Sequence, residues 1–150
     1  MRTLIPPPLH GLLVGLLMWL VNRYFPFSEL AFPGRTPLAI VFIVLGGLIE
    51  VAALATFVKR KTTINPVVPS NASVLVTDGL FQFSRNPMYL ALLLVLIGWA
   101  LWLGSPVNAA LLVGFIWFLT EFQIKPEEDA LREKFGENYT QYCRETRRWI

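Results

Sequence analysis

Arg85-Asn86-Pro87-Met88-Tyr89 and Glu127-Glu128 are short polar motifs set at the ends of long apolar runs. Arg85 offers a permanently charged, planar fork that suits a carboxylate or a phosphate. Asn86 both donates and accepts hydrogen bonds. Pro87 starts a helix without presenting an N–H. Tyr89 adds an aromatic face and a hydroxyl, and the paired carboxylates suit hydroxyls or an amine. Taken alone, the set reads either as an interfacial salt bridge between Arg85 and Glu127 or Glu128, or as a site for a small polar ligand.

The elements between the motifs bring them together. The sequence reads as a helix over about Met88–Leu103, a tight turn at Gly104-Ser105-Pro106, and a second helix over about Val107–Gln123. Each arm spans roughly 25 Å at about 1.5 Å per residue, so the return arm carries Glu127 back to the level of Arg85.

The 150 residues are 55% hydrophobic, and the mean hydropathy is +0.54. Leu38–Phe57 contains a single charge, Glu50, and is long enough to cross a hydrocarbon core of roughly 30 Å. Leu9–Tyr24 is shorter, but Pro6, Pro7 and Pro8 suit an earlier helix start. The expectation is an all-α integral membrane protein with about four transmembrane helices and a cytoplasmic C-terminal helical segment, forming one domain over residues 1–150. The first helix is expected to be retained, because Tyr24-Phe25-Pro26-Phe27 follows it instead of a small-x-small cleavage site. Gly11 and Gly15 form a GxxxG pattern that favours close helix packing.

Basic residues set the orientation. Arg2, Lys59, Arg60, Lys61, Arg85, Lys125, Arg132, Lys134, Arg144, Arg147 and Arg148 fall on one side of such a topology, against Arg23 and Arg35 on the other. The positive-inside rule then places both termini and both motifs in the cytoplasm. These charges serve topology, and no nucleic-acid partner is expected. A lone Cys143 and a lone His10 exclude a Cys/His metal cluster within one chain. Cys143 is read as inert and His10 as interfacial.

Lys59–Ser84 is the longest connection, and Ser73–Thr77 within it is apolar and β-branched, which suggests an extended piece near the interface. Pro126 is expected to break the fourth helix at the water boundary. Glu127, Glu128 and Asp129 would then supply negative charge to the first turn of a new helix. Its apolar stripe of Ala130, Leu131, Phe135, Tyr139 and Tyr142 is interrupted at Gly136 and would lie on the membrane or cap the hairpin. Glu121 can pair with Lys125 four residues on. Glu50 has no cation within one turn, and a protonated or internally hydrogen-bonded structural role is preferred to a substrate role.

Four features in order resemble the isoprenylcysteine carboxyl methyltransferase family, whose relatives include phospholipid methyltransferases. They are Leu75-Val76-Thr77-Asp78-Gly79-Leu80-Phe81, Ser84-Arg85-Asn86-Pro87-Met88-Tyr89, Glu127-Glu128, and Phe135-Gly136 followed by Tyr139 and Tyr142. They cover about residues 62–149, the implied catalytic core. The resemblance implies S-adenosylmethionine as cofactor, with S-adenosylhomocysteine as its product. Ser73, Val74, Leu75, Val76 and Phe81 would line it, Asn86, Pro87, Met88 and Tyr89 would hold it at the helix start, and Glu127 and Glu128 would bind its polar groups. Arg85 would act in catalysis, and Gln123 and Lys125 would face the substrate. Three positions depart from the family pattern: Asn86 replaces a histidine, Phe81 a tyrosine, and Gln123 a substrate-binding arginine.

The implied function is methyl transfer at the cytoplasmic membrane face to a lipophilic or small nucleophilic acceptor. The alternative is a non-catalytic membrane module that binds lipid or protein. A membrane reductase shares part of the C-terminal pattern, but the chain offers too few spans for one. With no Gly-rich dinucleotide loop in the sequence, a Rossmann-type methyltransferase is not indicated.

Overall fold

The computed structural model describes residues 7–25, 31–60 and 74–150. Ser73 lies outside them, as do residues 26–30 and 61–73 of the two loops. Every regular element among the described residues is helical. Helix α1 covers Pro7–Tyr24, α2 Arg35–Arg60, α3 Pro87–Leu103 and α4 Val107–Leu119. A π-helical turn, Thr120–Ile124, joins α4 to α5 (Lys125–Phe135), and α6 is Glu137–Glu145. A short 3-10 turn, Gly79–Gln82, precedes α3.

The apolar arms form where the sequence places them. Pro87 starts α3, and Gly104, in the left-handed conformation at φ 73°, ends it and turns the chain into α4. Residues 75–77 carry no regular secondary structure.

Helix α2 is built inside out relative to a helix of a water-soluble protein. Its buried residues are small (Ala39, Gly46 and Ala53), while Ile40, Val41, Val44, Leu45, Leu48 and Val51 are exposed. Small residues inside and large apolar ones outside are what a lipid solvent selects, since side-chain burial gains nothing there and close backbone approach gains van der Waals contact. The seam with α3 uses this directly. A Cβ on Gly46 would lie 2.6 Å from the Ala91 carbonyl oxygen, and one on Gly98 would lie 2.7 Å from that of Ala39. Pairing 46 with 91 and 39 with 98 makes the two helices antiparallel. Helix α1 runs parallel to α3, with Gly15 beside Leu96 and Trp99, and the Trp99 indole donates to the Gly15 carbonyl at 3.0 Å. The Gly11/Gly15 pair therefore packs as its spacing suggests.

Two helices, Arg35–Arg60 and the continuous Val107–Phe135, are long and apolar enough to cross a membrane, and α3 is a shorter apolar helix of 17 residues. The main core is Met18, Tyr89, Leu93, Leu96, Phe115, Leu119 and Ile124. An apolar groove of about 670 Å³ lies beside it, between α1 and α3, walled by Gly11, Gly15, Leu92, Leu96 and Trp99.

Pro126 does not break the fourth helix. The backbone N–H of Lys125 reaches the Thr120 carbonyl five residues back, and helical geometry continues to Phe135. The wide turn accommodates a residue that lacks an N–H, which an unbroken α-helix tolerates only at its start. It also changes phase. One extra residue removes about 100° of rotation at roughly 3.6 residues per turn, so Leu119 in the core and Glu127 share nearly one face. The real boundary is Gly136, whose φ of 55° with ψ of −125° is accessible only to glycine at low cost.

Candidate functional site

Tyr89 sits in the first turn of α3, and Glu127 in the first turn of α5. The Tyr89 hydroxyl donates to Glu127 Oε1 at 2.6 Å, and the Gln123 amide donates to the same oxygen at 2.7 Å. Tyr89 and Gln123 are both buried. Glu127 lies in the polar half of the long helix, beyond its apolar stretch, and its two donors are neutral. Burial pushes its carboxyl up to about 7; the bonds from Tyr89 and Gln123 oppose that rise, and the neighbouring Glu128 charge adds to it.

Its sequence neighbour has the opposite environment. Glu128 is 5% exposed and takes a two-pronged bond from Arg148, Nε to Oε1 at 3.0 Å and Nη2 to Oε2 at 2.8 Å. Arg85 Nη2 lies 3.4 Å from Glu128 Oε1. The salt bridge suggested by the sequence therefore forms at Glu128. The Glu128 carboxylate in turn holds the Arg148 guanidinium above its ordinary value.

Arg85 also contacts the Cys143 thiol, its backbone N–H donates to the Arg147 carbonyl at 2.9 Å, and its Nε is buried without a partner. Asn86 is the N-cap of α3, yet its side chain makes no capping bond; Nδ2 donates instead to the Arg148 carbonyl at 2.9 Å. The first-turn N–H groups of α3 at Met88 and Tyr89 are thus left to other acceptors.

Val76 and Phe81 are buried in a second cluster with Ala53, Tyr139 and Tyr142, against which Met88, Leu131, Phe135 and Cys143 pack. The C-terminal stripe therefore caps the end of α2 at Ala53 and Phe57 and the start of α3 at Met88. The Tyr142 hydroxyl donates to the Phe81 carbonyl at 2.6 Å. Burial raises the Tyr142 phenol, and burial together with Glu128 raises that of Tyr139. Leu75 is half-buried and Val74 exposed. Lys125 pairs with Glu121 on an exposed face. Glu50 is half-buried one helical turn after Gly46, and His10 is buried against the Phe118 ring at 5.4 Å. Among the described residues, no group of three His, Cys, Asp or Glu side chains is placed to hold a metal ion.

The structure thus brings Arg85, Asn86, Tyr89, Gln123, Glu127 and Glu128 to one end of the hairpin, as their spacing suggests. It adds Arg147, Arg148 and Trp149, to which sequence reasoning gave no site role, together with Ser84, quoted only within the motif, and Cys143, read as inert. The doublet Arg147-Arg148 after an amphipathic helix was the available signal, and it was read as topology charge.

The family model for phospholipid methyltransferases matches residues 35–138. The chain belongs to that family. It is 27% identical over 104 residues to protein-S-isoprenylcysteine O-methyltransferase B of Arabidopsis thaliana, covering 69% of this chain and 53% of that protein. The Dictyostelium discoideum protein-S-isoprenylcysteine O-methyltransferase is 28% identical over 139 residues, covering 88% and 55%. An uncharacterized protein of Haemophilus influenzae is 44% identical over 63 residues, which is 42% of this chain and 100% of that protein. The chain spans about half the length of the isoprenylcysteine methyltransferases it matches. No solved structure matches it. Family members being methyltransferases, the features to explain are the donor set around Glu127 and the open first turn of α3.

Proposed function

We propose that this phospholipid methyltransferase-family protein is an S-adenosylmethionine-dependent methyltransferase acting at the cytoplasmic face of a membrane on a lipophilic or small nucleophilic acceptor. The observation that carries the reading is the half-buried Glu127 carboxylate, held by two neutral donors, beside the uncapped first turn of α3. That pairing suits a zwitterionic amino-acid end: Glu127 takes the ammonium, and the Met88 and Tyr89 N–H groups take the carboxylate, assisted by the helix dipole. The half-buried Leu75 and Met88, backed by the buried Val76 and Phe81, offer apolar surface for the rest of the ligand.

When bound, the cofactor supplies a methyl group already activated on a sulfonium. The protein's part is then to position and desolvate. Tyr89 and Gln123 fix the Glu127 carboxylate in one orientation. The second cluster excludes water from one side. We assign the orientation of the acceptor to Arg85, and the groove between α1 and α3 offers an apolar path from the bilayer. Asn86 and Gln123 are both engaged by protein partners, and neither is a base, so the acceptor must need little assisted deprotonation.

Reading α1 to α4 as four spans is consistent with this placement. Helices α1 and α3 run parallel and α2 runs antiparallel, as alternate crossings require. We take both termini and the site to be cytoplasmic and residues 1–150 to act as one methyltransferase unit. Reporter fusions after Arg35 and after Ile150 are expected to fall on opposite sides of the membrane; the same side for both would overturn the topology.

Purified protein is expected to bind S-adenosylhomocysteine in calorimetry and to ignore ATP and NADPH. Labelled-methyl assays should then find turnover with lipid amines or small thiols and little with prenylcysteine acids. Binding without turnover on any acceptor class would favour a non-catalytic module, and absence of binding would overturn the reading altogether. Efficient methylation of a prenylcysteine carboxylate would show that Arg85 or Lys125 supplies the anion clamp that Gln123 lacks.

A further inference from the structure

The segment following α6, Thr146–Trp149, crosses the open end of the hairpin as a strap. The Arg147 carbonyl accepts the Arg85 N–H at 2.9 Å. The Arg148 carbonyl accepts Asn86 Nδ2 at 2.9 Å and the Ser84 hydroxyl at 3.4 Å. The Arg148 side chain grips both oxygens of Glu128. Thr146 donates to the Gln82 carbonyl at 3.4 Å, and Trp149 packs on the core that holds Tyr89 and Ile124. One strap residue therefore touches both halves of the site, the α3 start through its carbonyl and the paired carboxylates through its guanidinium.

We infer that Arg148 is a positioning residue of the cofactor site, turning Asn86 away from the α3 cap and holding Glu128 apart, so that Glu127 alone faces the ligand. The inference rests on the methyltransferase reading of that site. It also follows from electrostatics. Two guanidiniums, Arg85 and Arg148, meet one carboxylate, Glu128, and leave one net positive charge beside Glu127. The other polar groups around this cluster are Tyr89 from α3, Gln123 from the π-turn, and Tyr139 and Cys143 from α6. Glu128 and the two arginines carry the formal charges of the cluster beside Glu127. Removing Arg148 turns the balance to zero and sets a less compensated Glu128 next to Glu127, which favours a neutral, non-binding Glu127.

Four proteins test this: wild type, Arg148→Lys, Arg148→Met, and Arg148→Met combined with Glu128→Gln. The local charge is the same in all except Arg148→Met. Two measurements are made in detergent: affinity for S-adenosylhomocysteine at pH 7.5, and the pH midpoint at which the ligand-free protein loses thermal stability. Arg148→Met should weaken binding at least tenfold and raise the midpoint by about one pH unit. Arg148→Lys and the double variant should return both to within about threefold and about a third of a unit of wild type. Arg148→Met behaving as wild type, or the double variant behaving like Arg148→Met, would overturn the inference. If wild type binds no S-adenosylhomocysteine, the methyltransferase reading fails, while the midpoints still decide the role of Arg148.

Discussion

Glu127→Gln should weaken S-adenosylhomocysteine binding by about tenfold to a hundredfold, the worth of a charge-assisted hydrogen bond of roughly 1.5–3 kcal/mol. Glutamine keeps the shape and can still accept from Tyr89, so the loss reports charge. A pH dependence accompanies it. With the Glu127 carboxyl raised to about 7, the ammonium-binding form is scarce at pH 6 and dominant at pH 8. Wild-type affinity should climb over that interval and then level, whereas Glu127→Gln should show a flat profile. Stability runs the other way. A carboxyl raised on folding contributes stability that is complete below its unfolded value near 4.5 and lost as pH rises through about 7. The ligand-free protein should therefore melt at lower temperature at pH 8 than at pH 5.5, with the gap narrowed by ligand and absent in Glu127→Gln. Unchanged affinity in a folded variant would return Glu127 to a purely structural role.

Gly98→Leu is expected to have the largest effect on the fold. The first atom of the new side chain would already lie 2.7 Å from the Ala39 carbonyl oxygen and from Ile43 Cγ1. Backbone cannot rotate away as a side chain can, so α2 and α3 must separate. Overpacking of this kind costs about 1–3 kcal/mol or more, and here it loosens the longest seam of the structure. Thermal unfolding in detergent should shift down sharply, and solubilised protein should lose its single size-exclusion peak. Gly47→Ala, on α2 next to the seam residue Gly46 but with nothing within 4 Å, is the control and should melt like wild type. Equal melting of Gly98→Leu and wild type would show that the seam does not carry the fold.

The hairpin was legible because its signals are local: apolar length, Pro87 at one start, and Gly104-Ser105-Pro106 at the turn. Small-residue spacing also pointed correctly to the Gly11/Gly15 contact, and Gly136 marked a real boundary. Pro126 misled, because a proline reads as a break unless the turn before it is wide, and a wide turn has no sequence signature of its own. The twin glutamates were indistinguishable in sequence. What separates them is Arg148, whose contacts with the Ser84–Asn86 segment span more than sixty residues and leave no local pattern. Likewise Gln123 reads as a missing arginine in the family pattern, whereas in the fold it is a hydrogen-bond donor to Glu127.

The strap has a consequence for the order of events during synthesis. Both arms of the hairpin, with Tyr89 and Glu127 upon them, precede Arg147 and Arg148 in the order of synthesis. Long-range contacts of this separation are the slow ones to close. Completion of the site therefore waits on Arg148, more than sixty residues after the Ser84–Asn86 segment that it binds. A chain cut short after α5 would carry every apolar helix, take its place in the membrane and still lack the residue that tells one glutamate from the other.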